Sequence, residues 1–128
     1  SFLAVGCPDK FPFILRSRRI ESAVRLEARQ LEICGPVLLE KARLELRADR
    51  IIFKSSSIWL RGNEETSLTM TAREIFWEDK VFINLISSSQ ERGSQKPVKL
   101  KILGLNLKLS PKAELALKLQ GAHDLDFK

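Results

Sequence analysis

The chain has 128 residues, 44% hydrophobic and 30% charged, and 22 Lys+Arg against 16 Asp+Glu leave a formal charge of +6. That is one domain's length, too apolar for disorder and without an apolar run long enough to cross a bilayer as a helix. One His, two Cys and no Tyr exclude a four-cysteine zinc site, a two-Cys-two-His zinc site and any catalysis needing two histidines, so neither a metal nor a cofactor is expected.

Residues 1–19 read as an N-terminal extension. The chain begins at Ser1 rather than Met, which suggests a processed product. Phe2-Leu3-Ala4-Val5-Gly6-Cys7 is similar to the tail of a bacterial lipoprotein signal, an apolar run ending in a small residue and then Cys, which makes Cys7 a candidate lipid anchor. An N-terminal strand is the alternative. Cys7 and Cys34 are either one bridge or two separate thiols, and their spacing matches no metal motif.

Residues 20–122 read as a single β domain, because one unit recurs three times. It runs Val24-x-Leu26-x-Ala28-x-x-Leu31-x-Ile33, then Leu44-x-Leu46-x-Ala48-x-x-Ile51-x-Phe53, then Leu68-x-Met70-x-Ala72-x-x-Ile75-x-Trp77, at offsets of 20 and 24 residues. Each unit is followed by a turn signal and a short apolar stretch, as in Gly35-Pro36 before Val37-Leu38-Leu39. Apolar residues at i, i+2 and i+4 outweigh the good helix formers between Glu21 and Arg50 and predict half-buried antiparallel strands. The three-residue step from Ala to the next Leu or Ile would turn an ideal strand inside out. A bulge or corner at Arg29-Gln30, Asp49-Arg50 and Arg73-Glu74 is therefore expected.

Ser87 to Lys96 holds no large apolar residue and reads as a loop. The alternation Leu103, Leu105, Leu107, Leu109, then Ser110-Pro111, then Leu115, Leu117, Leu119 predicts a hairpin with Pro111 in its turn. A short helix over residues 111–120 is the alternative, since Ser110 would cap it and Pro111 suits a first helical position. Residues 123–128 read as a frayed tail.

Leu46-Arg47-Ala48-Asp49-Arg50-Ile51-Ile52-Phe53, a polar turn, Ile58-Trp59-Leu60-Arg61-Gly62-Asn63 and then Leu68-Thr69-Met70-Thr71-Ala72 resemble the OstA-like β-jellyroll of the lipopolysaccharide-transport machinery, over roughly residues 20 to 86. The entry Val24-Arg25-Leu26-Glu27-Ala28 is similar to the first strand of that family's membrane-anchored periplasmic member. The resemblance implies an all-β antiparallel jellyroll or sandwich of bent strands, periplasmic and in one version anchored to the inner membrane. It implies a non-enzymatic module of lipopolysaccharide export, holding acyl chains in an apolar groove. Edge strands would pair with neighbouring jellyroll subunits and an inner-membrane transporter. The lipid-binding residues it suggests are Leu31, Leu46, Ala48, Ile51, Phe53, Leu60, Met70, Ala72, Ile75 and Trp77. The competing explanation is that these side chains pack against one another.

Seven Lys oppose three acids from Lys96 onward, which suits lipid phosphates or an anionic leaflet. Nucleic acid is not an expected partner, because the nine aromatics form no basic-aromatic stacking patch. A different class of reading is a trimeric β-helical spike or another structural assembly protein of a phage or secretion system, in which stacked strands bury apolar rows along a common axis. Catalysis has no candidate residues, since no carboxylate pair sits on a recognisable scaffold and His123 stands alone.

Overall fold

A computed structural model describes residues 2–5, 13–16, 24–62, 66–87, 98–120 and 123–127. Among the described residues all eleven elements are strands, and consecutive strands alternate between two sheets. The first sheet holds β1 (Phe2–Val5), β3 (Val24–Ile33), β5 (Arg43–Phe53), β7 (Ser67–Trp77), β9 (Val98–Leu109) and β11 (His123–Phe127), in that order. The second holds β2 (Phe13–Arg16), β4 (Val37–Glu40), β6 (Ser56–Gly62), β8 (Lys80–Ser87) and β10 (Glu114–Gln120). Every pairing is parallel. One strand of each sheet makes one coil, so the molecule is a two-sheeted parallel β-solenoid.

This corrects the expectation of an antiparallel jellyroll. The turn signals after the repeated units, such as Gly35-Pro36, do not reverse a strand onto its neighbour. They are corners that pass the chain to the opposite sheet. The same holds for Ser110-Pro111, since β9 and β10 lie in different sheets and form no hairpin. Residues 114–120 are strand rather than helix. Segments expected outside the domain supply strands to the stack, namely β1 and β2 at one end and β11 at the other. The expected loop over 87–96 lies, apart from Ser87 at the end of β8, outside the described residues, as does Cys7.

The recurring unit is one coil, and parallel pairing sets like on like. Leu31, Ile51, Ile75 and Leu107 share one inward row, while Ile33, Phe53, Trp77 and Leu109 share the next. Across the interior, Val37, Ile58, Ile83 and Leu117 face them beside Leu39, Leu60, Leu85 and Leu119. The rings of Phe53 and Trp77 stack at 4.3 Å and 9°. Each fully buried aliphatic or aromatic side chain contributes about 1.5–3 kcal/mol.

The pairing skips Arg29, Asp49, Arg73 and Leu105 at one common level, and Ala48 and Ile51 on either side of the step are both buried. Two residues thus separate consecutive inward side chains, the bulge that the spacing requires. Small residues line the step, Ala28, Ala48, Ala72 and Gly104. A Cβ on Gly104 would lie 2.9 Å from Ile75 Cδ1.

One corner is tied by a buried hydroxyl in addition to its backbone hydrogen bonds. Thr66 is fully buried, its Oγ1 donates to the Arg61 carbonyl at 2.8 Å, and it accepts from the Lys41 N–H at 3.0 Å. That contact steadies Lys41 at φ 51°, next to Gly62 at φ 130°. Thr66→Val removes both bonds and leaves the Lys41 N–H and the Arg61 carbonyl only their own longer contact, at 3.3 Å. It is expected to cost about 1–3 kcal/mol in urea unfolding, whereas Thr66→Ser, which keeps the hydroxyl, should stay near the parent.

Candidate functional site

The structure gathers all ten expected lipid-binding residues into one region, the interior between the sheets. Leu31, Ile51, Phe53, Leu60, Met70 and Ile75 are wholly buried, and Leu46, Ala48, Ala72 and Trp77 are at most 8% exposed. They belong to one continuous apolar cluster with the facing rows of Val37, Leu39, Ile58, Ile83 and Leu85. A ligand reaches them only if the sheets part, because the side chains of each row fill the space above and below one another.

Unsatisfied apolar surface lies elsewhere, at the C-terminal end of the stack. Leu107 and Leu109 continue the rows of Ile75 and Trp77, while Leu115, Leu117 and Leu119 continue those of Val81, Ile83 and Leu85. All five point inward by register, yet they are 57%, 71%, 43%, 42% and 41% exposed, because no described coil lies beyond them. Leu105, on the step itself, is 82% exposed. β11 covers β9 from Val98 to Ile102, and among the described residues no strand covers the backbone edge of β9 from Leu103 to Leu109 or the far edge of β10. A hollow of about 220 Å³ lined by Trp77, Leu109, Ser110, Ala113, Glu114 and Leu115 opens between the two strands. The turn below it is tied by the Ser110 hydroxyl donating to the Glu78 carbonyl and by the Ser110 N–H donating to the Trp77 carbonyl at 2.9 Å.

These leucines were visible in the sequence as alternating positions, but alternation marks the inward face and is silent on whether another rung covers it. Basic side chains stand beside them. Lys108 is paired with Glu74 at 3.5 Å and Lys80 with Glu114 at 3.6 Å, and Lys112 and Lys118 are exposed. Surface pairs of this kind contribute at most about 1 kcal/mol each.

The outward face of the first sheet carries a depression of about 340 Å³ among Arg25, Glu27, Glu45, Arg47, Thr69 and Thr71. Its charges neutralise one another, as in the Arg25–Glu45 pair at 3.0 Å. Among the described residues no three of His, Cys, Asp and Glu come together as a metal site. Glu78 and Asp79 occupy the corner between β7 and β8, where Asp79 Oδ1 accepts the Lys80 N–H at 2.8 Å. Cys34 is nine-tenths buried and disulfide-bonded. No helix is long and apolar enough to cross a membrane. Comparisons of the chain with protein-family models, with curated proteins and with solved structures found no match.

Proposed function

We propose that this chain is a non-enzymatic joining module of a cell-envelope assembly, one that extends a β-structured bridge by accepting a further rung along β9 and β10. A single observation carries the reading. Among the described residues, inward rows of leucine in β9 and β10 stand exposed beside parallel backbone edges that no described strand covers, which supplies both the apolar surface and the backbone groups that strand addition needs. The disulfide at Cys34 supports an oxidising compartment such as the periplasm. Rows sealed within one chain mean that burying them calls for no trimer, so a spike-like role would rest on end-to-end growth.

A second reading, transport of lipopolysaccharide or another anionic amphiphile, is favoured by the exposed Lys112 and Lys118 around the same leucines. In that case the acyl chains meet Leu107 and Leu117 rather than Phe53. Photo-crosslinkers at Leu107 and Leu117, with Arg47 as the exposed control, decide between the two in the source cell. Adducts at both leucines with a linked peptide from a β-strand of an envelope protein are the expected result. Adducts to lipid alone would transfer the site to the second reading, and equal labelling at Arg47 would sink both.

A further inference from the structure

The outer face of the second sheet carries side chains that the sealed interior does not require. Outward positions of a half-buried sheet are expected to be polar, and in the first sheet they are, with Arg25 against Glu45 and Arg50 against Glu74. In β6 and β8 the outward positions instead hold Trp59 and Phe82, both exposed. Their rings meet at 6.3 Å and 56° and make one aromatic surface. Leu38 of β4, in register with Trp59, extends it.

A buried amide belongs to the same face. Val81, Ile83 and Leu85 are the inward residues of β8, so Asn84 points outward with Phe82. Register sets it between Trp59 of β6 and Lys118 of β10. It is nevertheless only 1% exposed, and its Nδ2 has no acceptor. A buried donor without a partner destabilises the fold, more than an apolar side chain of similar shape in its place would. The missing acceptor is one that a ligand oxygen can supply once the exposed ring of Trp59 turns aside, a rotamer change that surface side chains make within nanoseconds.

We propose that this face binds an acidic oligosaccharide, with a sugar ring lying on Trp59 and Phe82, one of its oxygens accepting from Asn84 Nδ2, and a carboxylate meeting Arg61. Ring faces carry negative potential and attract the C–H side of a sugar, which leaves its hydroxyls free for polar partners. The charge of the face selects an acidic chain. Its acids Glu40 and Glu114 are paired with Arg16 and Lys80, whereas Arg61 and Lys118 are exposed and, among the described residues, form no ion pair. Arg61 stands two residues from Trp59 on the same side of β6, and its planar fork suits a carboxylate. An anionic bilayer would also suit rings beside cations, but it offers no oxygen fixed in place for a buried amide. The site is separate from the inward leucines of β9 and β10 and stands whether or not the joining role does.

Isothermal titration calorimetry of the whole chain tests this with oligomers of galacturonate, guluronate and hyaluronan, and with neutral maltohexaose and phosphatidylglycerol vesicles as contrasts. At least one acidic oligomer is expected to bind, to shift the emission of Trp59, the more exposed of the two tryptophans, and to weaken as salt is raised. Maltohexaose should bind at least about tenfold more weakly, and Phe82→Ala and Arg61→Gln should each lower affinity for the acidic oligomer about tenfold. Asn84→Leu separates a binding role from a structural one. It should melt no lower than the parent, because it removes an unpaired amide, and still bind about tenfold more weakly. An Asn84→Leu protein that binds as tightly as the parent overturns the proposal. Should that variant lose its fold, the exposed positions Phe82 and Arg61 carry the test, and unchanged affinity in both overturns it. Binding to vesicles with none to the acidic oligomers overturns it in favour of a membrane surface, and no binding to any of the three oligomers overturns it outright.

Discussion

Ile75→Asp is expected to unfold the chain. Ile75 is completely buried, with Ile51 on one side and Leu107 on the other in the same inward row, and it belongs to the same apolar cluster as Ile58 and Ile83 of the second sheet. A carboxylate there finds neither water nor a cationic partner, and the cost of burying it is several kcal/mol even after protonation. That approaches the whole stability of a typical domain, about 5–15 kcal/mol. In a stack whose coils contact only their neighbours, a charge at mid-height also uncouples the coils above from those below. Circular dichroism and urea unfolding should show loss of the cooperative transition, while Ile75→Val costs only about 0.5–1.5 kcal/mol. A folded Ile75→Asp protein that has merely lost lipid binding would mean that the interior is an open groove after all.

The second large effect lies in the adjacent row. Phe53→Ala is expected to cost about 3–5 kcal/mol, because Phe53 is fully buried, stacked on Trp77 and flanked by Ile33 on its other side. Leu109 occupies the same row at the open end and is 71% exposed, so Leu109→Ala in dilute solution should change stability by no more than about 0.5 kcal/mol. The contrast within one row distinguishes depth in the stack from residue type.

Much of the fold was legible because burial writes itself into spacing. The inward positions of β3, β5 and β7, the small residues at Ala28, Ala48 and Ala72, and the bulge after each of them follow from the alternation and its three-residue step. The strand direction was not legible in the same pattern, since an inward-outward alternation of period two is common to parallel and antiparallel sheets. A clue lay in the repeat itself. Similar units recurring at offsets of 20 and 24 residues place alanine on alanine and leucine on isoleucine, which in-register parallel stacking makes favourable and a meander has no reason to preserve. The turn residues pointed the other way, because Gly35-Pro36 or Ser110-Pro111 serves a corner between sheets as readily as a hairpin.

The candidate site divides along the same line. Which residues face inward was encoded locally, so Leu31, Phe53, Leu60 and Ile75 could be picked as a set, and so could Leu107 and Leu117. Whether an inward face is sealed or open depends on the rung beside it, a partner 20 to 34 residues away in this stack. Chain-local chemistry therefore specified an apolar, bent, repeating strand and excluded most metal and histidine chemistry. Tertiary pairing alone turned Phe53 and Ile75 from groove candidates into filled core, and among the described residues it leaves Leu107, Leu109, Leu115, Leu117 and Leu119 uncovered.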